Sequence, residues 1–332
     1  MIHPIPPGTR DVLPDEMREL RRLHASLIET FEGFGYGEVA TPAIEYDEVL
    51  GRGDGRTASS AYRLFDESGE LLALRSDMTV PIARLVASRY AKAEMPLRLC
   101  YLASAFRAVR PQRGQMREFT QAGVELIGAP APNGTAEVVK VLEAALDSAG
   151  LDRAVIGLGD ADLFRQLLAE LGVEGAARDS ILERLAMHDL VGLEAELSEL
   201  PGVSDEQCAT CVALSQLRGG SEVLEQARAL GGPGVERATA RIQETFEALQ
   251  ARGAADRVRI DLGLLSDLGY YSGAILEVYD PAIGHVLGGG GRYDALLQRF
   301  GVDQPAAGFA LYLERVHVAQ MEEDSRRREG AS

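Results

Sequence analysis

Phe106–Gly128 reads FRAVRPQRGQMREFTQAGVELIG. From Arg117 onward the stretch alternates, which predicts a β-strand. In an extended chain Phe119, Gln121, Gly123, Glu125 and Ile127 share one face, while Thr120, Ala122, Val124 and Leu126 share the other. The second face is apolar and predicts core. The first sets an amide and a carboxylate on either side of a glycine, which leaves room above the sheet for a small ligand. From the pattern alone, an ordinary solvated face fits equally well. The first half of the stretch is basic. Arg107, Arg110, Arg113 and Arg117 precede a single acid, Glu118, in a chain of formal net charge −17.

That overall charge argues against a general nucleic-acid-binding surface, because a polyanion needs a basic one. Concentrated arginine instead suits phosphate or carboxylate, or pairs with the chain's own acids. The 332 residues suffice for one large domain or two ordinary ones, and 46% hydrophobic content allows a sizeable core. No apolar run approaches membrane-spanning length, and the opening MIHPIPPGTRDVLPDE holds no apolar signal region. The expectation is a soluble cytoplasmic protein with no membrane partner. Three cysteines make no disulfide framework, and CATC at 208–211 reads as two half-buried thiols on a helix. The histidines at 3, 24, 188, 285 and 317 show no metal-ligand spacing, so no metal and no cofactor is expected.

Along the chain, residues 15–34 have helical spacing, 37–46 is extended and interrupted by Pro42, and 71–75 is a strand. A helix follows from Thr79, then strands over 97–107 and 117–128, and a helix over 135–150. From 160 to 253 the segments are amphipathic and helical, whereas strands return in RVRIDLGLL, YYSGAILEVYD and GFALYLE. Strands that follow one another closely favour a mostly antiparallel sheet and an α+β fold. The expected organisation is a core of residues 1–159 and 254–320, a helical insertion at 160–253 and a charged, frayed tail at 321–332.

Other polar islands flank the central strand. LRSDMT places Asp77 and Thr79 at a strand-to-helix junction, where Asp77 suits a helix cap. YYSG puts Tyr270 and Tyr271 on opposite faces of a strand, one toward core and one toward a pocket. GGGGRYDALL (288–297) reads as a glycine run before a helix; it lacks the lysine and hydroxyl of a phosphate-binding loop. No nucleophile–base pair is legible.

Together these segments resemble the catalytic core of histidyl-tRNA synthetase, a class II aminoacyl-tRNA synthetase, from PPGTRDVLP (6–14) to GFALYLERV (308–316). TPAIE matches the dimer-forming first motif, the 106–128 stretch the second, GYYSG and GGGGRYDALL the histidine-specific segments, and GFALYLER the third. The resemblance implies a six-stranded antiparallel sheet flanked by helices, with a helical insertion. It also implies a histidine pocket. Asp77 and Thr79 would hold the α-amino group with Gln121 nearby, while Glu125 and one of Tyr270 and Tyr271, preferably Tyr271, would receive the imidazole. Arg107 matches the phosphate-facing arginine and would contact a carboxylate or be a relic.

Departures from the synthetase pattern shape the functional expectation. Where the synthetases have Phe-Arg-x-Glu, the glutamate position is Val109. Where they have Arg-Gly-Leu-Asp-Tyr-Tyr, the arginine position is Ser266, which cannot stabilise charge developing on a phosphate. The likeness includes no anticodon-binding domain. LRSDMT and GYYSG are more similar to a paralogous family, the regulatory subunits of ATP phosphoribosyltransferase. That likeness implies a chain with no catalytic residue of its own, a dimer through the TPAIE region, histidine as effector and the short-form catalytic subunit as partner. The alternative is a stripped-down synthetase-like enzyme that activates histidine with ATP.

Overall fold

The computed structural model describes residues 4–53, 60–108, 116–266 and 269–330. Val109, Arg110 and Arg113 lie outside them. Helix α1 spans Pro14–Gly33. Pro14 suits a first turn, where the missing N–H costs nothing, and Leu20, Leu23, Leu27 and Phe31 bury one stripe. Strands β1 (Gly37–Glu38) and β2 (Ile44–Tyr46) follow on either side of Pro42, then the short α2 (Asp47–Gly51). Strands β3 (Arg63–Phe65) and β4 (Leu71–Leu74) join β2 in a three-stranded sheet. Helix α3 (Thr79–Leu85) runs on as a π-helical turn, Val86–Tyr90.

Long strands β5 (Leu97–Phe106) and β6 (Glu118–Ile127) precede α4 (Asn133–Ser148) and β7 (Val155–Asp160). The next stretch is helical: α5 (Leu163–Glu170), α6 (Gly175–Ala186), α7 (Leu190–Ser198) and α8 (Asp205–Gln216). A two-residue β8 (Arg218–Gly219) separates these from α9 (Glu222–Leu230) and α10 (Pro233–Gln250). Strands β9 (Val258–Asp261), β10 (Ala274–Tyr279), β11 (Gly288–Arg292) and β12 (Ala306–Tyr312) complete the sheet, and α11 (Leu313–Gly330) ends the fold.

The main sheet has the order β1-β5-β6-β12-β11-β10-β7-β9-β8. Its middle six strands, β5 to β7, are all antiparallel neighbours, as expected. The full sheet is larger: β1 adds in parallel to β5, β9 in parallel to β7, and β8 closes the far edge. The apolar face of β6 (Ala122, Val124, Leu126) packs under α1 and α4, in one continuous cluster with residues of the helical stretch such as Phe164, Ile181 and Ile242. Cys208 and Cys211 lie on α8 in that cluster as free, buried thiols.

Three local expectations are corrected. The glycine run, read as preceding a helix, is itself a central strand, Gly288–Arg292, followed by a short 3-10 turn at Leu297–Phe300; its neighbours supply a ladder that a glycine strand cannot secure alone. Tyr270 and Tyr271 precede β10, Tyr270 in a turn and Tyr271 in the irregular link to the strand, rather than lying in the strand. The tail is not frayed at 321, since α11 continues to Gly330. Buried Glu323 ties it down by accepting the N–H groups of Asp152 and Arg153.

Candidate functional site

Opposite the apolar core, the sheet's other face is paved with small residues. The register sets Gly123 of β6 beside Ala310 of β12, Gly289 of β11 and Glu277 of β10. The next row holds Glu125, Gly308, Gly291 and Ile275. With few side chains rising from the middle strands, a cavity of about 430 Å³ remains above Ala310, Gly289, Gly308 and Ile275. Asp77, Thr79, Arg107, Gln121, Tyr270 and Tyr271 all border it. These residues come from four separate segments, and only the fold brings them together.

Glu125 does not itself border the cavity; it is buried behind two residues that do, Thr79 and Tyr293. Residual exposures of 1% for Glu125 and 3% for Gln121 exclude the solvated-face alternative. Thr79 Oγ1 donates to Glu125 Oε1 at 2.8 Å, and the Tyr293 hydroxyl donates to Oε2. Burial pushes the Glu125 carboxyl up to about 8; the bonds from Tyr293 and Thr79 oppose the rise, and the nearby charge of Asp77 adds to it. Gly308 is required beside it, because a Cβ there would lie 1.9 Å from Oε2. Gly123 also proves necessary, for a different reason than expected. The space above it is filled by Tyr101, whose hydroxyl would lie 2.6 Å from an added Cβ.

The walls follow from local structure. Asp77 Oδ1 accepts the Val80 N–H at 3.2 Å, so it serves the first turn of α3 as expected while also facing the cavity. Tyr270 and Tyr271 both border it, with ring centroids 4.9 Å apart; Tyr270 is also part of the buried core cluster, whereas Tyr271 is only partly buried. Tyr271 packs over Gly291, where a Cβ would come within 3.0 Å of its ring. Desolvation raises both phenols, so they act as neutral donors. Gln121 Oε1 is buried without a hydrogen-bond partner and suits a ligand N–H.

The arginines divide. Arg292 is buried and committed: it forks onto Asp294 and reaches Ala129 O and Thr135 Oγ1. Arg107 lies over the rings of Phe119 and Tyr312, at 4.9 and 5.9 Å, and donates to Ser76 O at 3.4 Å. Among the described residues no carboxylate lies within ion-pair distance of it, which leaves a cation at the cavity wall for an anionic group. Ser266 lines the same cavity.

Sequence reading missed Tyr293, Tyr101 and Tyr312. The signal available for Tyr293 was its place just after a glycine strand, but its partner Glu125 lies 168 positions earlier. The arrangement offers an acid at the wall, a second acid buried just behind it, a free amide oxygen, phenols and a cation. That set can hold a small ligand with an amine, a ring N–H and an anion. Among the described residues no His/Cys/Asp/Glu group could hold a metal ion, and no helix is long and apolar enough to cross a membrane.

The sequence matches the histidyl-tRNA synthetase family over residues 8–316. An ATP phosphoribosyltransferase regulatory subunit of Moorella thermoacetica is 42% identical over 320 residues, 96% of this chain and 82% of its own. A solved structure described as an ATP phosphoribosyltransferase regulatory subunit/histidyl-tRNA synthetase from Bacillus halodurans superposes with a TM-score of 0.86. It is 32% identical and covers 96% of this chain and 84% of its own. A histidine–tRNA ligase subunit from Alicyclobacillus acidocaldarius gives 0.83 at 29% identity, covering 98% and 99%. With a class II sheet, these relatives and this pocket, the chain belongs to the histidyl-tRNA synthetase-like family of ATP phosphoribosyltransferase regulatory subunits.

Proposed function

We propose that the pocket binds free histidine and that the chain is a non-catalytic, histidine-sensing regulatory subunit. It assembles with the short-form catalytic subunit of ATP phosphoribosyltransferase, which needs it for activity in the first step of histidine biosynthesis, and histidine bound to it inhibits the complex. The observation that carries this reading is a cavity bordered by Asp77, Thr79, Gln121 and two tyrosines, with the buried Glu125 carboxyl held directly behind Thr79 and Tyr293. Asp77 and Thr79 take the α-amino group, Gln121 lies near it, Glu125 and Tyr271 receive the imidazole, and Arg107 takes the carboxylate. Ser266 at the wall supports the absence of adenylation, since a hydroxyl is a poor substitute for a fixed guanidinium beside a phosphate.

The reading includes a cytoplasmic dimer. Ile44 and Tyr46, 45% and 51% exposed, share the outer face of the small sheet with Leu64, Leu72 and Leu74. That apolar face supports self-association through the TPAIE region.

The test is phosphoribosyl transfer by a short-form catalytic subunit, with and without this chain, across a histidine titration. Activation that histidine reverses is expected. No effect on the catalytic subunit, together with histidine-dependent ATP–pyrophosphate exchange by the chain alone, would replace this reading with the synthetase-like one.

A further inference from the structure

The pocket and the helical insertion share one short turn. Tyr270 and Tyr271 line the cavity, and Ser272 and Gly273 lead into β10. Two bonds hold this turn to the core. The Ser272 N–H donates to Arg292 O at 2.7 Å, and Ser272 Oγ accepts the Asp294 N–H at 3.0 Å. Two more come from where the insertion begins. The Ala161 N–H donates to Gly273 O at 2.7 Å, and Arg165 Nη1 of α5 donates to Tyr271 O at 3.3 Å.

The anchor behind Ala161 is itself fixed from the insertion. Asp160 ends β7 with its carboxylate fully shielded. Arg241, near the middle of α10, grips both of its oxygens through Nε and Nη2, at 2.8 and 2.7 Å. A forked guanidinium–carboxylate pair sets direction as well as distance. On the far side of the turn from the tyrosines lies a second cavity of about 240 Å³, walled in part by Arg241, Asp162, Ser272 and Gly273. The turn is therefore held on one side by Tyr270 in the core and on the other by bonds from the insertion.

We propose that the helical insertion positions the tyrosine turn, with Arg241 and Arg165 as its positioning residues, so that ligand in the pocket and order in the insertion are coupled. The proposal rests on the pocket being the histidine site proposed above. Neither arginine borders the pocket, so each acts through the turn. Coupling of this kind is reciprocal: whatever steadies α5 and α10 strengthens ligand binding, and ligand steadies them in return.

The test uses the full chain, wild type beside Arg165→Met and Arg241→Lys, with histidine as the probe. Hydrogen exchange without ligand reads the turn directly, and residues 269–274 are expected to exchange faster in both variants while α1 is unchanged. By calorimetry, histidine is expected to bind both variants roughly fivefold more weakly or worse. Histidine should slow exchange in α5 and α10 of the wild type, and less so in the variants. Arg165→Lys should recover part of the lost affinity, a rescue that general unfolding would not show. Should Arg241→Lys fail to fold, Arg165→Met, at a partly exposed position, decides alone. Wild-type affinity together with unchanged turn exchange would overturn the proposal. If the wild type binds no histidine, the pocket reading has failed, and turn exchange still decides: faster in Arg165→Met upholds the positioning role, unchanged refutes it.

Discussion

The two faces of β6 are equally buried and chemically opposite. Ala122, Val124 and Leu126 meet helices α1 and α4 in the core, while Gln121 and Glu125 on the other side meet hydroxyls and a cavity. Burying apolar groups stabilises the fold outright. Burying a carboxyl costs free energy, which hydrogen bonds from Thr79 and Tyr293 offset only in part, since the group still titrates near 8.

Four experiments would break or sharpen that contrast. The largest expected effect is on the apolar face. Leu126→Ala should lower unfolding free energy by about 2–5 kcal/mol while leaving the histidine affinity of the folded protein intact. Chemical denaturation and calorimetry together check it, and an affinity loss would mean the faces are not independent. On the polar face the same comparison should invert. Glu125→Gln should weaken histidine binding by about 1.5–3 kcal/mol with little loss of stability. Unchanged affinity would show that the imidazole sits elsewhere.

The third experiment is pH. Glu125 is raised from about 4.5 to about 8 on folding, so the folded chain holds a proton that the unfolded chain has released. Its contribution to stability is therefore full below about 4.5 and is lost as pH rises through 8. Thermal unfolding should show this decline, and Glu125→Gln should remove that part of it. Histidine affinity adds a second reading. Between roughly 6.5 and 8, a neutral imidazole plus a protonated Glu125 carry the one proton that an imidazolium–carboxylate pair needs. Affinity should be flat there and fall on both sides, and the alkaline fall due to Glu125 should vanish in Glu125→Gln. Affinity that climbs through pH 8 would instead mean neutral imidazole against a bare carboxylate. The smallest expected effect is Tyr293→Phe, which removes one donor to Glu125. It should cost about 1 kcal/mol in affinity and move the alkaline limb upward, because the lost bond favours the ionised form.

Much of this was legible before any coordinates. Helix α1 and strands β5 and β6 follow from spacing alone, and the alternation in β6 separated Glu125 from Val124 correctly. Asp77, Thr79, Arg107, Gln121, Tyr270 and Tyr271 border one cavity, while Glu125 lies behind its wall. What could not be read was partnership. Arg107 and Arg292 look alike as sequence, yet Asp294 engages one and leaves the other stacked on two rings. Tyr293 gave no sign that it would support Glu125.

The sequence by itself determined the local elements, the apolar and polar faces of β6 and the family, because periodicity and motif order are properties of neighbouring residues. The tertiary structure alone decided that the glycine run is a strand forming the pocket floor, that both tyrosines border the cavity and that Ala161 and Arg165 bond the turn that carries them. Each of these depends on register and contacts between segments far apart in the chain, and a glycine strand carries no side-chain pattern from which its neighbours could be read.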